Sequence, residues 1–131
     1  MTELFHLADR RQWQEARAAG RYEISTRGKT LPEVGFIHCS LRHQVRTVAD
    51  AVFADADDLV LLTIDSDRVP ARIVYEGEPE RFPHIYGPLP TDAVVAAEPV
   101  ERDAAGRWVL PGGAPGPDPI GPVGRSSPST P

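Results

Sequence analysis

The sequence has little cysteine, no long apolar run and no surplus of basic charge. Cys39 is the single cysteine of 131 residues, so no internal disulfide can form, which fits a reducing compartment. No apolar run approaches the roughly 18 residues that a membrane span needs. The first residues lack a basic segment followed by an apolar one, so no secretory signal is expected. These absences predict a soluble, cytoplasmic protein without a membrane partner.

Acidic residues outnumber basic ones, 19 against 14, which gives a net charge of −5. Proteins that bind nucleic acid usually present a basic surface, because contacts to phosphates supply much of their affinity. The one short basic cluster, Arg21 with Arg27 and Lys29, is interrupted by Glu23. A solvated loop explains this cluster, and a phosphate-contacting loop beside a site is the alternative. We therefore do not expect a nucleic-acid partner.

Length and composition predict one globular domain, 1–110, followed by a tail, 111–131. The tail contains seven prolines and five glycines. Such a segment cannot bury enough apolar surface to offset chain entropy, so it is predicted to be disordered. A folded part of this size can bury a sufficient core by itself, and a monomer is the expected state.

Short helices and strands alternate along the domain, which predicts the α+β class. Asp9 is typical of a helix N-cap and Gly20 of a C-terminal stop, so a helix is expected over Arg10–Ala19. Ser40 is expected to cap a second helix, whose apolar stripe begins at Val45. The segment 22–33 is polar and is predicted to be a loop. Five to seven strands are expected, the clearest at 4–7, 35–39, 59–64, 73–76, 82–86, 93–97 and 108–110.

Two motifs could form a polar site, Gly35-Phe36-Ile37-His38-Cys39-Ser40 and Phe82-Pro83-His84-Ile85-Tyr86-Gly87-Pro88-Leu89. Side chains alternate between the two faces of a strand. His38 should therefore project with Ser40, and His84 with Tyr86, while Cys39 points into the core. Buried imidazoles and hydroxyls need partners, so the two pairs predict a shared polar pocket.

Several uses of such a pocket stay open. A serine hydrolase is disfavoured because no Gly-x-Ser-x-Gly pattern is present. A zinc site on His6, His38 and His84 is an alternative, although no short-spaced pair of ligands supports it. A pocket for a nucleotide-like ligand would need a carboxylate, and Glu76 is the nearest candidate; by strand alternation it shares a face with Val74. Each histidine could also be a purely structural residue.

The motifs resemble those of the bacterial "domain of unknown function 952" family. The resemblance rests on the two strings above, on Phe5-His6-Leu7 with Trp13, and on Asp58-Leu59-Val60-Leu61-Leu62. It implies a fold similar to that of ADP-ribosyltransferases, with a bent, split, mainly antiparallel sheet and two main helices around an NAD-binding cleft. The family itself has no established activity.

The resemblance also implies roles for single residues. His38 and Ser40 would contact a ribose, and Tyr86 would stack on the nicotinamide ring. His6 or His84 would bind ribose or phosphate, and Glu76 would stabilise a cationic transition state. The resulting hypothesis is ADP-ribosyl transfer, NAD cleavage or related phosphoryl chemistry, with His38 and Glu76 as catalytic residues and no metal. The rival hypotheses are a non-catalytic nucleotide or metabolite binder and the metal-dependent enzyme.

Overall fold

A computed structural model describes residues 2–111, so the tail predicted at 111–131 lies outside the described residues except for its first position. Eleven strands and three α-helices occur in this range, with short 3₁₀ turns at Arg42–Gln44, Ser66–Arg68 and Thr91–Ala93. In chain order they are β1 (Glu3–Asp9), α1 (Arg10–Ala19), β2 (Arg21–Tyr22), β3 (Ile24–Thr26), β4 (Lys29–Thr30), α2 (Leu31–Val34), β5 (Ile37–His38), α3 (Val45–Val52), β6 (Leu59–Asp65), β7 (Ile73–Glu76), β8 (Phe82–Ile85), β9 (Leu89–Pro90), β10 (Val94–Arg102) and β11 (Trp108–Val109).

Two antiparallel sheets organise the domain. The larger sheet has the order β1-β6-β10-β11, and the smaller has the order β5-β8-β7. The backbones of Phe5 and Ser40 join the sheets through two reciprocal hydrogen bonds of 2.8 and 2.7 Å. Two further two-stranded pairs, β2 with β9 and β3 with β4, complete the framework. The α+β prediction is confirmed.

Strand β6 is the centre of the core, because every one of its residues is buried. Its alternating side chains divide the core between the two faces of the larger sheet. Leu59 and Leu61 pack with α3 and Trp108, whereas Leu62 and Ile64 pack with α1 and the smaller sheet. Burying one such side chain contributes about 2 kcal/mol. The two faces of β6 therefore belong to two separate parts of the core.

The first helix follows the sequence prediction at both ends. The Asp9 carboxylate accepts a hydrogen bond from the backbone N–H of Gln12 at 3.1 Å. Gly20 ends the helix with φ 87°, a left-handed conformation that favours glycine, and its N–H donates to the Ala16 carbonyl. Trp13 and Ala16 are buried. No helix within residues 2–111 is long and apolar enough to cross a membrane.

The prediction of a loop over 22–33 is wrong. This segment holds β3, β4 and α2, and it begins within β2. The strands are very short, so they carry no alternating apolar pattern that the sequence could reveal. Helix α2 starts at a cap in which the Thr30 N–H donates to the Glu33 carboxylate at 2.8 Å. Because these short strands were missed, the expected total of five to seven strands was too low.

The prediction that Ser40 caps the second helix is also wrong. Ser40 is committed to the backbone bridge with Phe5, and α3 begins only at Val45. The Gln44 side-chain carbonyl accepts from the Leu41 N–H at 2.9 Å and so caps the 3₁₀ turn Arg42–Gln44 that precedes α3; α3 itself begins without a side-chain cap. The apolar stripe of the helix is real, but Val52 at its end is 40% exposed.

Candidate functional site

Strand pairing in the smaller sheet brings the two predicted motifs together. In β5 and β8, His38 lies directly opposite His84, and Ile37 opposite Ile85. Opposite residues in an antiparallel pair share a face. The imidazoles therefore share one face, and the two isoleucines are fully buried on the other. Cys39 is buried in the core as predicted, and this burial raises the pKa of its thiol.

Strand β7 adds a carboxylate to this face. Val74 lies opposite His84 and Glu76 opposite Phe82, so Glu76 projects on the same side as the histidines. His84 donates from Nδ1 to Glu76 Oε1 at 2.8 Å, and the Tyr86 hydroxyl donates to the same oxygen at 2.5 Å. The structure thus joins three of the predicted site residues in one hydrogen-bonded group.

These hydrogen bonds define the protonation states of the group. The bond from Tyr86, followed by the bond from His84, holds the pKa of Glu76 below its usual range. The same carboxylate raises the pKa of Tyr86, because a phenolate would be repelled by it. Glu76 is therefore ionised at neutral pH and Tyr86 is protonated. Since a carboxylate can only accept, the Nδ1 atom of His84 carries a proton.

Aromatic rings surround the two histidines. The Phe36 ring stacks on the His84 ring, with 4.0 Å between centroids and 14° between planes. His38 meets His84 edge to face at 4.9 Å. Burial, followed by the charge that His84 can carry, lowers the pKa of His38. His38 is thus neutral at pH 7, and its position beside His84 is held by ring packing.

His6 is buried beneath this group and is bonded within the protein at both ring nitrogens. Its Nδ1 donates to the His38 carbonyl at 2.5 Å, and the Tyr22 hydroxyl donates to Nε2 at 2.8 Å. Burial lowers the pKa of His6 to about 4, so the ring is neutral. His6 therefore connects β1 to β5 and β2.

A cavity of about 460 Å³ opens beside the histidines, and we call it the histidine cavity. Its apolar wall comes from α3 and three phenylalanines, and its polar lining includes five of the predicted site residues. The apolar lining comprises Phe5, Leu7, Val45, Val48, Val52, Phe53 and Phe82; the polar lining comprises His6, Thr26, His38, Ser40, Glu76, Glu78, Glu80 and His84. Its volume lies in the usual range for small-molecule sites, roughly 300–1,000 Å³.

The sixth predicted residue, Tyr86, is not part of the cavity lining. It touches the cavity only through Glu76, and its ring instead lies beside Gly87 and Pro88 in a shallow groove. The Arg72 guanidinium covers that ring at 5.1 Å from its centroid. The sequence-based prediction of the site did not include the cavity wall that α3 supplies. The apolar stripe of this helix could have indicated that wall, because the stripe extends to Val52, which is exposed.

The geometry does not assemble the zinc alternative. Zinc needs a free lone pair on each imidazole, and His6 has both ring nitrogens bonded to protein groups. Within the part of the chain that the structure describes, no group of three or more histidine, cysteine, aspartate or glutamate side chains is placed to hold a metal ion.

Comparison with known families agrees with the motifs. The family model "Protein of unknown function (DUF952)" matches residues 7–97, which include both histidine motifs and Glu76. The chain belongs to the DUF952 family. The resemblance drawn from the motifs is confirmed at this level. No curated protein matches this DUF952 member.

Solved structures similar to this DUF952 protein come from Caulobacter crescentus. Crystal structures of protein CC0527, one of them a double mutant, have a TM-score of 0.73 at 31% identity. Each covers 83% of this chain and 95% of the other. The solution NMR structure of CC0527 gives a TM-score of 0.66 at 32% identity, over 82% and 91% of the two chains. The match thus spans nearly all of the CC0527 chain.

Proposed function

We propose that the histidine cavity binds a nucleoside-bearing small molecule, NAD or a related nucleotide, and acts on it by ADP-ribosyl transfer or NAD cleavage. One observation carries the proposal: an ionised, half-exposed carboxylate, Glu76, is held by His84 and Tyr86 at the edge of an apolar cavity. Active sites are places where such perturbed groups line a cleft.

The lining suits a nucleoside. The apolar wall of Phe5, Phe53 and Phe82 offers contact to a flat ring. The Ser40 hydroxyl and the Nε2 atom of His84 are available to hydrogen-bond ribose hydroxyls, since neither atom has a hydrogen-bond partner within residues 2–111. His38 stands beside them as a second ribose contact.

Glu76 is the group best suited to the chemical step. When the bond between ribose C1′ and the nicotinamide nitrogen breaks, the electron pair leaves with nicotinamide and positive charge develops on the ribose. A preorganised carboxylate beside that carbon stabilises the charge. Water or another hydroxyl then adds to C1′, and its proton passes to Nε2 of His84. Tyr86 acts as a positioning residue through Glu76, and His6 as one through the His38 backbone.

The fold is compatible with this proposal. Two antiparallel sheets meet at the Phe5–Ser40 bridge, and the cavity lies at that junction. This arrangement supports an ADP-ribosyltransferase-like fold as part of the proposal. A cytoplasmic location fits the same proposal, because the free, buried Cys39 suits a reducing compartment.

A non-catalytic binder is the second candidate. Both hydrogen bonds fall on Oε1 of Glu76, so the carboxylate also serves to orient His84 for binding alone. In that case the cavity holds a nucleotide without turning it over.

Nicotinamide release from NAD, followed by chromatography, separates the two candidates. The transferase proposal predicts release by the wild type and loss of release in Glu76→Gln. Glu98→Gln is the matched control, because Glu98 is exposed on β10 away from the cavity. Binding of NAD without release supports the binder. Absence of both binding and release contradicts the proposed function.

A further inference from the structure

A second cavity continues from the histidine cavity. It has a volume of about 590 Å³, and we call it the polar cavity. Its charged and amide lining residues are Asp9, Arg11, Gln12, Glu15, Arg27, Asp57 and Asp58. Leu7, Thr26 and Phe53 line both cavities, so the two are adjoining compartments of one cleft.

The charges along this cleft are mostly negative. Seven carboxylates line the two cavities, against two guanidiniums. The histidine cavity is lined by three carboxylates, those of Glu76, Glu78 and Glu80. Within residues 2–111, no lysine or arginine lines this cavity. An anionic ligand would therefore be repelled along most of the cleft.

The two guanidiniums do little to offset this charge. Arg27 is already bound to the Asp55 carboxylate at 2.5 Å and to the Val52 carbonyl at 3.0 Å. Asp58 is paired with Arg10 at 2.9 Å. Arg11 forms no ion pair within residues 2–111, but it shares the polar cavity with Asp9, Glu15 and Asp57, which form none either. One unpaired guanidinium is therefore set against three unpaired carboxylates, which is a poor balance for a phosphate site.

The carboxylates of the histidine cavity are held mainly by neutral donors. Glu76 accepts from Tyr86 and His84, with Arg72 only a minor influence. Glu80 accepts from the Gln44 amide at 2.9 Å, and His43 is the nearest ionisable donor at 3.8 Å. Within the described residues Glu78 forms no ion pair. The negative charge at this end of the cleft is thus available to a ligand.

We infer that the cleft prefers cationic nucleosides to their phosphate esters. The inference rests on the glycosidic-bond cleavage of the proposed function, names the preferred substrate class for that step, and makes NAD and other nucleotides the weaker ligands. The class is an N-glycoside in which the ring nitrogen carries positive charge and the sugar carries no phosphate. Phenylalanine faces and carboxylates together attract a flat cation. The buried Ser40 hydroxyl and Nε2 of His84 then bind the sugar hydroxyls.

Calorimetric titration with four probes tests this inference: nicotinamide riboside, nicotinamide mononucleotide, NAD and free nicotinamide. The riboside is expected to bind at least about tenfold more tightly than the mononucleotide. Raising the salt concentration should narrow that ratio, because screening weakens the repulsion of the phosphate. Equal or tighter binding of the phosphorylated probes would overturn the inference and leave the proposed function standing. Failure of all nucleoside probes to bind would overturn both.

Charge-neutralising variants provide the matched arm of the experiment. Glu78→Gln in the histidine cavity and Asp57→Asn in the polar cavity each remove one charge without removing an observed ion pair. Each should reduce the preference for the riboside about threefold, mainly by strengthening binding of the mononucleotide. Glu98→Gln makes the same change in net charge outside the cleft and should leave the preference unchanged. An equal effect of Glu98→Gln would show a general charge effect and contradict the inference.

Discussion

His84 donates a hydrogen bond from Nδ1 to the Glu76 carboxylate across the β7–β8 pair, at 2.8 Å. The donor is nearly buried and the acceptor is half exposed. The bond fixes which nitrogen of His84 faces Glu76 and leaves Nε2 for a ligand. Carboxylate–imidazole pairs of this kind fix the tautomer and the orientation of the ring. This pair links the strand register to the proposed chemistry.

The tautomer of His84 is the first prediction. Its neutral ring should carry the proton on Nδ1, because Glu76 accepts there. Long-range ¹H–¹⁵N NMR spectra distinguish the two tautomers of a neutral imidazole. In Glu76→Ala the Nδ1 preference should weaken. A wild-type ring protonated on Nε2 would contradict the hydrogen bond.

The second prediction concerns Tyr86→Phe, which removes one donor from Glu76. The pKa of Glu76 should rise toward its ordinary value, because the bond from Tyr86 is the largest cause of its depression. The free energy of unfolding should fall, because one hydrogen bond to a charged acceptor is lost. Carboxyl ¹³C NMR titration and urea denaturation measure the two effects. Tyr75→Phe is the control, since Tyr75 is 41% exposed on the other face of β7; equal changes in both variants would refute the assignment.

The third prediction is a pH-dependent stability from His6. Its pKa is lowered from 6.5 to about 4 in the folded chain, so the unfolded chain binds the extra proton between these values. Stability is therefore complete above pH 6.5 and falls as the pH drops toward 4, by about 2 kcal/mol at pH 5. Urea denaturation at several pH values measures it. In His6→Gln this loss of stability between pH 6.5 and 4 should be absent. If the free energy of unfolding of the two proteins changed with pH in parallel, His6 would not be its source.

The fourth prediction separates binding from stability at Val52. This side chain lies on the wall of the histidine cavity and is 40% exposed. Val52→Ala should change the free energy of unfolding by less than about 0.5 kcal/mol. It should nevertheless weaken binding of nicotinamide riboside severalfold, because it removes ring contacts. The control is Val95→Ala, because Val95 is an exposed valine on β10 outside the histidine cavity, and it should alter neither quantity. A similar loss of affinity in Val95→Ala would show that the α3 wall of the histidine cavity does not contact the ligand.

Much of the site could be predicted because strand alternation is a local property. The shared faces of His38 with Ser40 and of His84 with Tyr86 follow from counting along a strand. Glu76 was placed on the face of Val74, and β7 does present both toward His84. What the sequence could not supply was the register between strands, which places His38 directly opposite His84. Register depends on long-range pairing that no single segment encodes.

The wrong predictions have local causes. The Ser40 side chain is of the type that caps helices. Its backbone, however, pairs with Phe5 from a distant part of the chain, and the helix starts only at Val45. The segment 22–33 contains strands too short for periodicity to detect. Tyr86 directly follows the last residue of β8 and reaches the cavity only through its hydrogen bond to Glu76, a long-range contact that strand alternation does not predict.

An NMR titration with nicotinamide riboside and NAD, observed at the imidazole signals of His38 and His84, decides whether the histidine cavity binds a nucleoside. The signals of both rings should shift together and saturate, at a lower concentration of the riboside than of NAD, while the amide signal of Val109 on β11 stays unchanged. Absence of any shift at His38 and His84 with either compound at millimolar concentration would contradict a nucleoside site in the histidine cavity.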